Sequence, residues 1–298
     1  MNTVGLSDQA IPLTIIIPVW NGEDYIGRCL ESLKRQTVPI TSAQVIVVDN
    51  GSTDSTPRIV KEFEFVELWH QPVPGSYSAR NLGLEKAKAE FVLFTDADCV
   101  AAPDWLERAL HLASFARDLD IFAGQIKLFR EPGAGKVIAK FEELTAFNQA
   151  SNVSYGFAVT ANLLCHKGTL LKFGAFDGNL LSGGDVETTK RLVSNGCRLK
   201  YEPELLVSHP TRAGLLSMLR KQRRVTGGKW ALGTEKGQGL LALLRQDLAE
   251  ALKRARWMIR EPMPATMKMG IISVLFVLAL TSQLEMLRLA VGANPYRN

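Results

Sequence analysis

Between residues 13 and 95 the sequence switches repeatedly between two hydrophobic periods, and this alternation restricts the fold more than any other feature of the chain. LTIIIPVW is a continuous apolar run, rich in β-branched residues and too short for a helix, which reads as a strand buried on both faces. Residues 23–36, EDYIGRCLESLKRQ, place Tyr25, Ile26, Cys29, Leu30 and Leu33 on one helical face. AQVIVVD is strand-like again, and NGSTDSTPRIVKEF is a loop that opens a helix with Asp and Ser/Thr caps. FVELWH and EFVLFTD are further strands, with SARNLGLEKAKA as the helix between them. Strand–helix–strand repetition of this kind makes a parallel sheet with helices on both faces. Such a sheet binds its ligand outside the carboxyl ends of its strands. VWNG, DNGSTD and TDAD all lie at those ends and are expected to converge on one crevice. No GxGxxG follows the first strand, which disfavours a dinucleotide-dependent dehydrogenase.

Beyond residue 103 the pattern is mixed. DIFAGQIKLF reads as a strand, REPGAG as a turn and residues 136–150 as a helix. FAVTANLLCHKGTLLKFGAFD reads as a strand, a short helix and a turn. DVETTKRLVSNG is a helix with a glycine stop, followed by two short strands, CRLKYEP and LLVSHP. From about residue 212 the chain turns helical: LLSMLRKQRRV, then 239–260, then 265–290. With 298 residues there is material for one large domain or two small ones, and the expected division is 1–211 and 212–298.

Charge supports that division. The net +5 conceals 15 Lys and Arg against 5 Asp and Glu in residues 210–298, and 20 against 25 before them. A basic segment also rich in Leu, Met and Trp fits an anionic membrane surface better than nucleic acid. Cys29, Cys99, Cys165 and Cys197 form no CxxC pair, which suggests reduced thiols rather than a disulfide frame or a zinc site. MNTVGLSDQAIP has neither a basic n-region nor an apolar h-region, so no signal peptide is expected there.

Three stretches carry candidate chemistry. In TDADC, Asp96 and Asp98 end a hydrophobic strand; in strand conformation both would point to one face, whereas a turn at Ala97 would splay them. Carboxylates in a crevice suit Mg²⁺ or Mn²⁺ together with substrate phosphates, while the plainer role is a turn leading into a helix at Pro103. In VVDNGSTD, Asp49 and Asn50 could hydrogen-bond a base edge or a ribose, or merely build an Asx–Gly–Ser turn. In VPGSYSARNLG, Arg80 could meet a phosphate or a base, or form a surface ion pair.

Taken with TANLLCHKGTLLKFGAFD and LLSGGDVETTKRLVSNGCRLKYEPELLVSHP, these stretches resemble, in order and spacing, the successive blocks of family 2 glycosyltransferases. The resemblance covers residues 13–210. It implies an α/β GT-A fold, with a Rossmann-like nucleotide-binding half and a mixed central sheet, a nucleotide-sugar donor, a divalent metal and inversion at the anomeric carbon. Pro18 and Trp20 match positions that wall the nucleobase, and Asp49 and Asn50 its polar contacts; the second is often Asp in the family, and an amide there is compatible with a UDP-sugar donor. Asp96 and Asp98 match the metal-binding DxD, with Asp98 the direct ligand and Asp96 reaching the ribose or a metal-bound water. His209 in VSHP matches a histidine that completes metal or diphosphate binding. The acidic pair that supplies the family's base corresponds to SGGDVE, which makes Asp185 the base and puts Gly184 where the family has Glu, on the acceptor side with Asn162. Asp185 could equally cap its helix.

The C-terminal segment stays open between roles. RKQRR, residues 220–224, is a diphosphate clamp, a lipid-headgroup contact or a solvated face. QRRVTGGKW does not match the QxxRW of processive relatives, so one sugar is added per encounter. Residues 240–260 form a basic amphipathic helix that could lie on an anionic bilayer or cover the catalytic domain. The 16 uncharged residues between Lys268 and Glu285 fall just short of a span of roughly 17–25. Together these features predict an enzyme at the cytoplasmic face of the cell membrane, peripheral or single-pass, acting on a lipid-linked or surface glycan. The rivals are a soluble acceptor, with the C-terminal helices serving dimerisation, and a non-catalytic nucleotide- or glycan-binding relative. Sugar, acceptor and nucleotide are decided by pocket shape rather than by these motifs.

Overall fold

The computed structural model describes residues 12–296. The signal-peptide expectation rests on residues 1–11 and lies outside the described residues. The strands are β1 (Leu13–Val19), β2 (Gln44–Asp49), β3 (Val66–His70), β4 (Phe91–Thr95), β5 (Val100–Ala101), β6 (Asp120–Phe129), β7 (Asn162–His166) and β8 (Arg198–Pro210). They form one sheet in the order β3-β2-β1-β4-β7-β6-β8-β5. β1 lies parallel to β2 and β4, with Ile16 opposite both Ile46 and Phe94. β7 then runs antiparallel to β4 and β6, so the sheet is parallel in its first half and mixed in its second.

The uninterrupted apolar strands have two buried faces, as their composition requires. Ile15 and Ile17 face a core shared with α1 (Ile26–Lys34), α2 (Thr56–Val60) and α4 (Trp105–Phe115), whereas Ile16 faces α3 (Ser76–Lys86). That second core also takes residues of α7 (Lys167–Lys172) and α8 (Gly184–Ser194). A third core joins α5 (Lys136–Thr145) to α9 (Leu215–Glu235), α10 (Leu240–Arg260) and α11 (Ala265–Ala290) through Ile138, Phe141, Met218, Met258, Ile271 and Leu278. All four cysteines are free and buried.

Three elements differ from the pattern-based reading. The helix expected over 136–150 is broken: Phe147 adopts φ 56°, and α6 (Gln149–Ser154) starts afresh after it. CRLKYEP and LLVSHP are one strand, β8, whose pairing to β6 jumps from Gly124↔Glu202 to Gln125↔Leu206. Pro203, which has no N–H to give a ladder, sits in that bulge. The helix expected to stop near Val225 runs on to Glu235 through Gly227 and Gly228. The close approach of α9 to Ser182 explains the second glycine, because a Cβ there would lie 2.4 Å from the Ser182 carbonyl oxygen.

Candidate active site

The loops after β1, β2 and β4 meet at one edge of the sheet, as the parallel topology requires. The hydroxyls and carboxylates of residues 52–56 tie the first two loops together. Thr53 N–H donates to Asn21 Oδ1 at 2.8 Å, Asn21 N–H to Ser52 Oγ at 2.8 Å and Gly22 N–H to Thr56 Oγ1 at 2.8 Å. The loops open onto a cleft of about 1110 Å³, which continues between α5, α9, α10 and α11. Pro18, Trp20, Asn50, Arg80, Asp96, Asp98, Asp185 and His209 line it, so eight of the residues expected from sequence come together.

A turn splays the two carboxylates of the DxD, Cys99 N–H closing on Asp96 O at 3.0 Å. Asp96 accepts from Arg80 Nη2 at 2.6 Å; Asp98 faces His209 Nε2 at 3.2 Å. Arg80 is itself nearly buried, so its guanidinium holds Asp96 from the wall of the cleft. His209 Nδ1 lies 2.7 Å from the Pro210 carbonyl, which can only accept, so that nitrogen carries a proton; Nε2 donates to Asp98 when the ring is protonated and offers its lone pair to a cation when it is neutral. Burial by itself would lower the His209 pKa, but the Asp98 carboxylate raises it above the ordinary range. Burial likewise pushes Asp98 up, and His209 and Arg212 outweigh it to hold the carboxyl low.

Among the described residues no three His, Cys, Asp or Glu side chains gather to hold a metal. A divalent ion would therefore take Asp98 and His209 from the protein and its other ligands from phosphate and water. That is how Mg²⁺ is ordinarily held in phosphate-transfer sites, with one or two carboxylates, so the donor set fits Mg²⁺ or Mn²⁺.

Asp185 stands in the first turn of α8, where its Oδ1 accepts from Val186 N–H at 3.0 Å and from Tyr77 Oη–H at 3.2 Å. Burial pushes its carboxyl above the ordinary aspartate range, against the lowering influence of Arg80. A carboxylate in that state is a better proton acceptor near neutrality than a solvated aspartate. Glu187 is turned aside to Arg191 at 2.8 Å.

Opposite the carboxylates stands a cationic wall that the sequence left undecided. Arg212, Lys221 and Arg224 line the cleft, so RKQRR is only in part a solvated face. Arg224 Nη1 donates to Leu181 O at 3.1 Å. Buried Glu142 binds Arg212 Nη1 at 2.7 Å and Lys221 Nζ at 3.3 Å. Burial, helped by Arg212, pulls the Lys221 amine down to about 8. The Phe147 ring, turned inward by its left-handed backbone, lies against His209 with centroids 4.4 Å apart. Tyr77, Glu142 and Phe147 carried no signal in the sequence; they enter only through packing.

Three expected contacts lie behind the wall instead of on it. Asp49 is buried, its carboxylate accepting from Ser52 N–H at 3.2 Å with His70 Nδ1 at 3.3 Å. Asn162, expected on the acceptor side, is fully buried. Its Nδ2 donates to Gln125 O at 3.0 Å and Leu205 O at 2.7 Å, carbonyls at the β6/β8 bulge, and its Oδ1 accepts from Trp105 Nε1 at 3.0 Å. Asn162 therefore plugs the bulge rather than meeting an acceptor. Gly184, also expected on the acceptor side, is buried beneath the Tyr77 ring: a Cβ there would lie 2.7 Å from the ring.

Comparison with known proteins accords with this geometry. The profile of Glycosyl transferase family 2 matches residues 14–163. Glycosyltransferase AglE of Haloferax volcanii is 33% identical over 223 residues, covering 73% of this chain and 72% of AglE. The S. aureus TarS 1-349 structure in complex with UDP-GlcNAc superposes with TM-score 0.54 at 21% identity, over 91% of this chain and 73% of that one. The mannosyltransferase PcManGT from Pyrobaculum calidifontis, in complex with GDP-Man and Mn²⁺, superposes with TM-score 0.53 at 18% identity, over 95% of this chain and 76% of that one. The fold is thus the GT-A fold, and the chain belongs to glycosyl transferase family 2, as an enzyme that transfers sugar from a nucleotide-sugar.

Proposed function

We propose that the protein moves one sugar from a nucleoside-diphosphate sugar, UDP-linked by preference, to a hydroxyl of a lipid-linked or surface-glycan acceptor, with inversion. The observation that carries this reading is the convergence of Asp96, Asp98 and Asp185 on one cleft faced by Arg212, Lys221 and Arg224. The complexes of TarS with UDP-GlcNAc and of PcManGT with GDP-Man and Mn²⁺ support a nucleotide-sugar as the donor. Pro18 and Trp20 wall the base. Asp98 and His209 would hold Mg²⁺ or Mn²⁺, which when bound supplies neutralisation of the charge gathering on the leaving diphosphate. The cationic wall contributes to the same end. Asp185 takes the proton from the acceptor hydroxyl as it attacks the opposite face.

Residues 1–211 are read as the catalytic body and 212–298 as an extension lying on the cytoplasmic face of the membrane. α11 is long and apolar enough to cross a bilayer by composition alone. Peripheral docking is favoured over a span, because α11 is held to its neighbours by polar groups. Ser282 bonds Thr226 at 2.9 Å, Glu285 binds Arg223 at 3.0 Å and Gln283 bonds Asp247 at 3.1 Å.

The test is a thermal-shift panel with Mn²⁺ and UDP, GDP, dTDP or CDP, since a ligand of the folded state raises its melting temperature. One nucleotide should give a metal-dependent rise that Asp98→Ala loses. Asp185→Asn should keep that rise and stop transfer. No rise with any nucleotide would contradict the donor assignment.

A further inference from the structure

Tyr77 is 5% exposed, held between the Phe176 ring, stacked at 6.0 Å, and the Arg80 guanidinium, 5.6 Å from its centroid. A Cβ on Gly184 would meet three of its ring atoms, at 2.7, 2.9 and 2.9 Å. The glycine is therefore demanded by the ring and not by backbone conformation; in this turn the left-handed residue is Gly183, at φ 81°. We infer that Tyr77 is the positioning residue for Asp185, doing from α3 what a side chain at 184 cannot do from α8. The inference rests on reading Asp185 as the base.

The hydrogen bonds define how it acts. Both the Tyr77 hydroxyl and the Val186 N–H fall on Oδ1 of Asp185. Oδ2 has no protein donor among the described residues and is the oxygen left to accept a proton. Burial, reinforced by the Asp185 carboxylate, raises the Tyr77 pKa, so the hydroxyl remains a donor throughout the working range. A donor to the ionised form favours that form, so Tyr77 moderates the upward push that burial gives Asp185. The other charged groups facing Asp185 are Arg80 from α3, Asp96 after β4 and Arg224 from α9.

The experiment is a carboxyl ¹³C NMR titration of the full chain labelled at aspartate, with Asp185→Asn identifying the signal. In Tyr77→Phe the Asp185 carboxyl should titrate at higher pH than in the native protein. Gly184→Ala, which pushes the ring aside, should move it the same way, and the double variant should add little to either. With a UDP-sugar and Mn²⁺, kcat of Tyr77→Phe should fall about tenfold at neutral pH, with UDP affinity unchanged. An unmoved Asp185 titration in variants that melt like the native protein would overturn the inference. The two readings fail separately: an Asp185→Asn protein that still transfers removes the base assignment but leaves the titration result standing. An inactive Asp185→Asn with an unmoved titration removes Tyr77 alone.

Discussion

Asn50 donates through Nδ2 to the carbonyls of Gln71 and Val73, at 2.9 and 2.7 Å, and accepts the Gly75 N–H on Oδ1. A carboxylate at this position could accept but not donate, and would face two carbonyl oxygens. Asn50→Asp should therefore loosen the loop that leads into α3 and lower stability by about 1–3 kcal/mol, seen as an earlier urea midpoint. Lys221 offers a pH test. With an amine pulled down to about 8, it is charged at pH 7 and largely neutral at pH 9, so the wall it shares with Arg212 and Arg224 loses a positive charge on that rise. Calorimetric UDP affinity should fall between these pH values, and Lys221→Gln should bind more weakly at pH 7 with a flatter profile. Sequence reading singles out Asp96, Asp98, Asp185 and His209 through strand ends and motif order, and all four line the cleft. It misplaced Asp49, Asn162 and Gly184, since a residue tucked behind a cleft wall and one on it look the same as letters.

Among the elements, the strands of the parallel half were the most legible, being short apolar runs separated by amphipathic helices. β8 was not, because Pro203 reads as a stop whether the chain ends a strand or bulges within one. α9 was cut short by the same kind of ambiguity at Gly227 and Gly228. Its continuation is open to trial. Alanine is the better helix former by about 1 kcal/mol, yet Gly228→Ala must displace the Ser182 backbone and should cost about 1–3 kcal/mol net. Gly227→Ala, whose Cβ would sit 3.2 Å from the Pro295 ring, should be milder. Equal and favourable effects of the two in denaturant titrations would refute the close-approach explanation.

For the molecule as a whole, α10 and α11 bury one side in the third core and leave Leu241, Leu248, Leu252, Phe276, Leu280 and Leu284 exposed. Exposed basic side chains, Arg245, Lys253, Arg256 and Arg260, accompany them on α10. Flotation with phosphatidylglycerol vesicles should recover the protein, less so as salt screens the basic residues. Serine at Phe276, Leu280 and Leu284 together should abolish recovery while leaving the melting temperature near its native value. The charge asymmetry made this segment legible as a separate layer, but not its union with the catalytic body. That union runs through α5, whose Phe141 packs with α9–α11 and whose Glu142 grips Arg212 and Lys221. The layer proposed to meet lipid is thus continuous with the layer that lines the cleft. A chain ended at residue 211 would lose Arg212, Lys221 and Arg224 together with the proposed anchor, since α9 carries the last two and packs in the third core with α10 and α11. On the proposed reading, address and aperture are set by one packed unit.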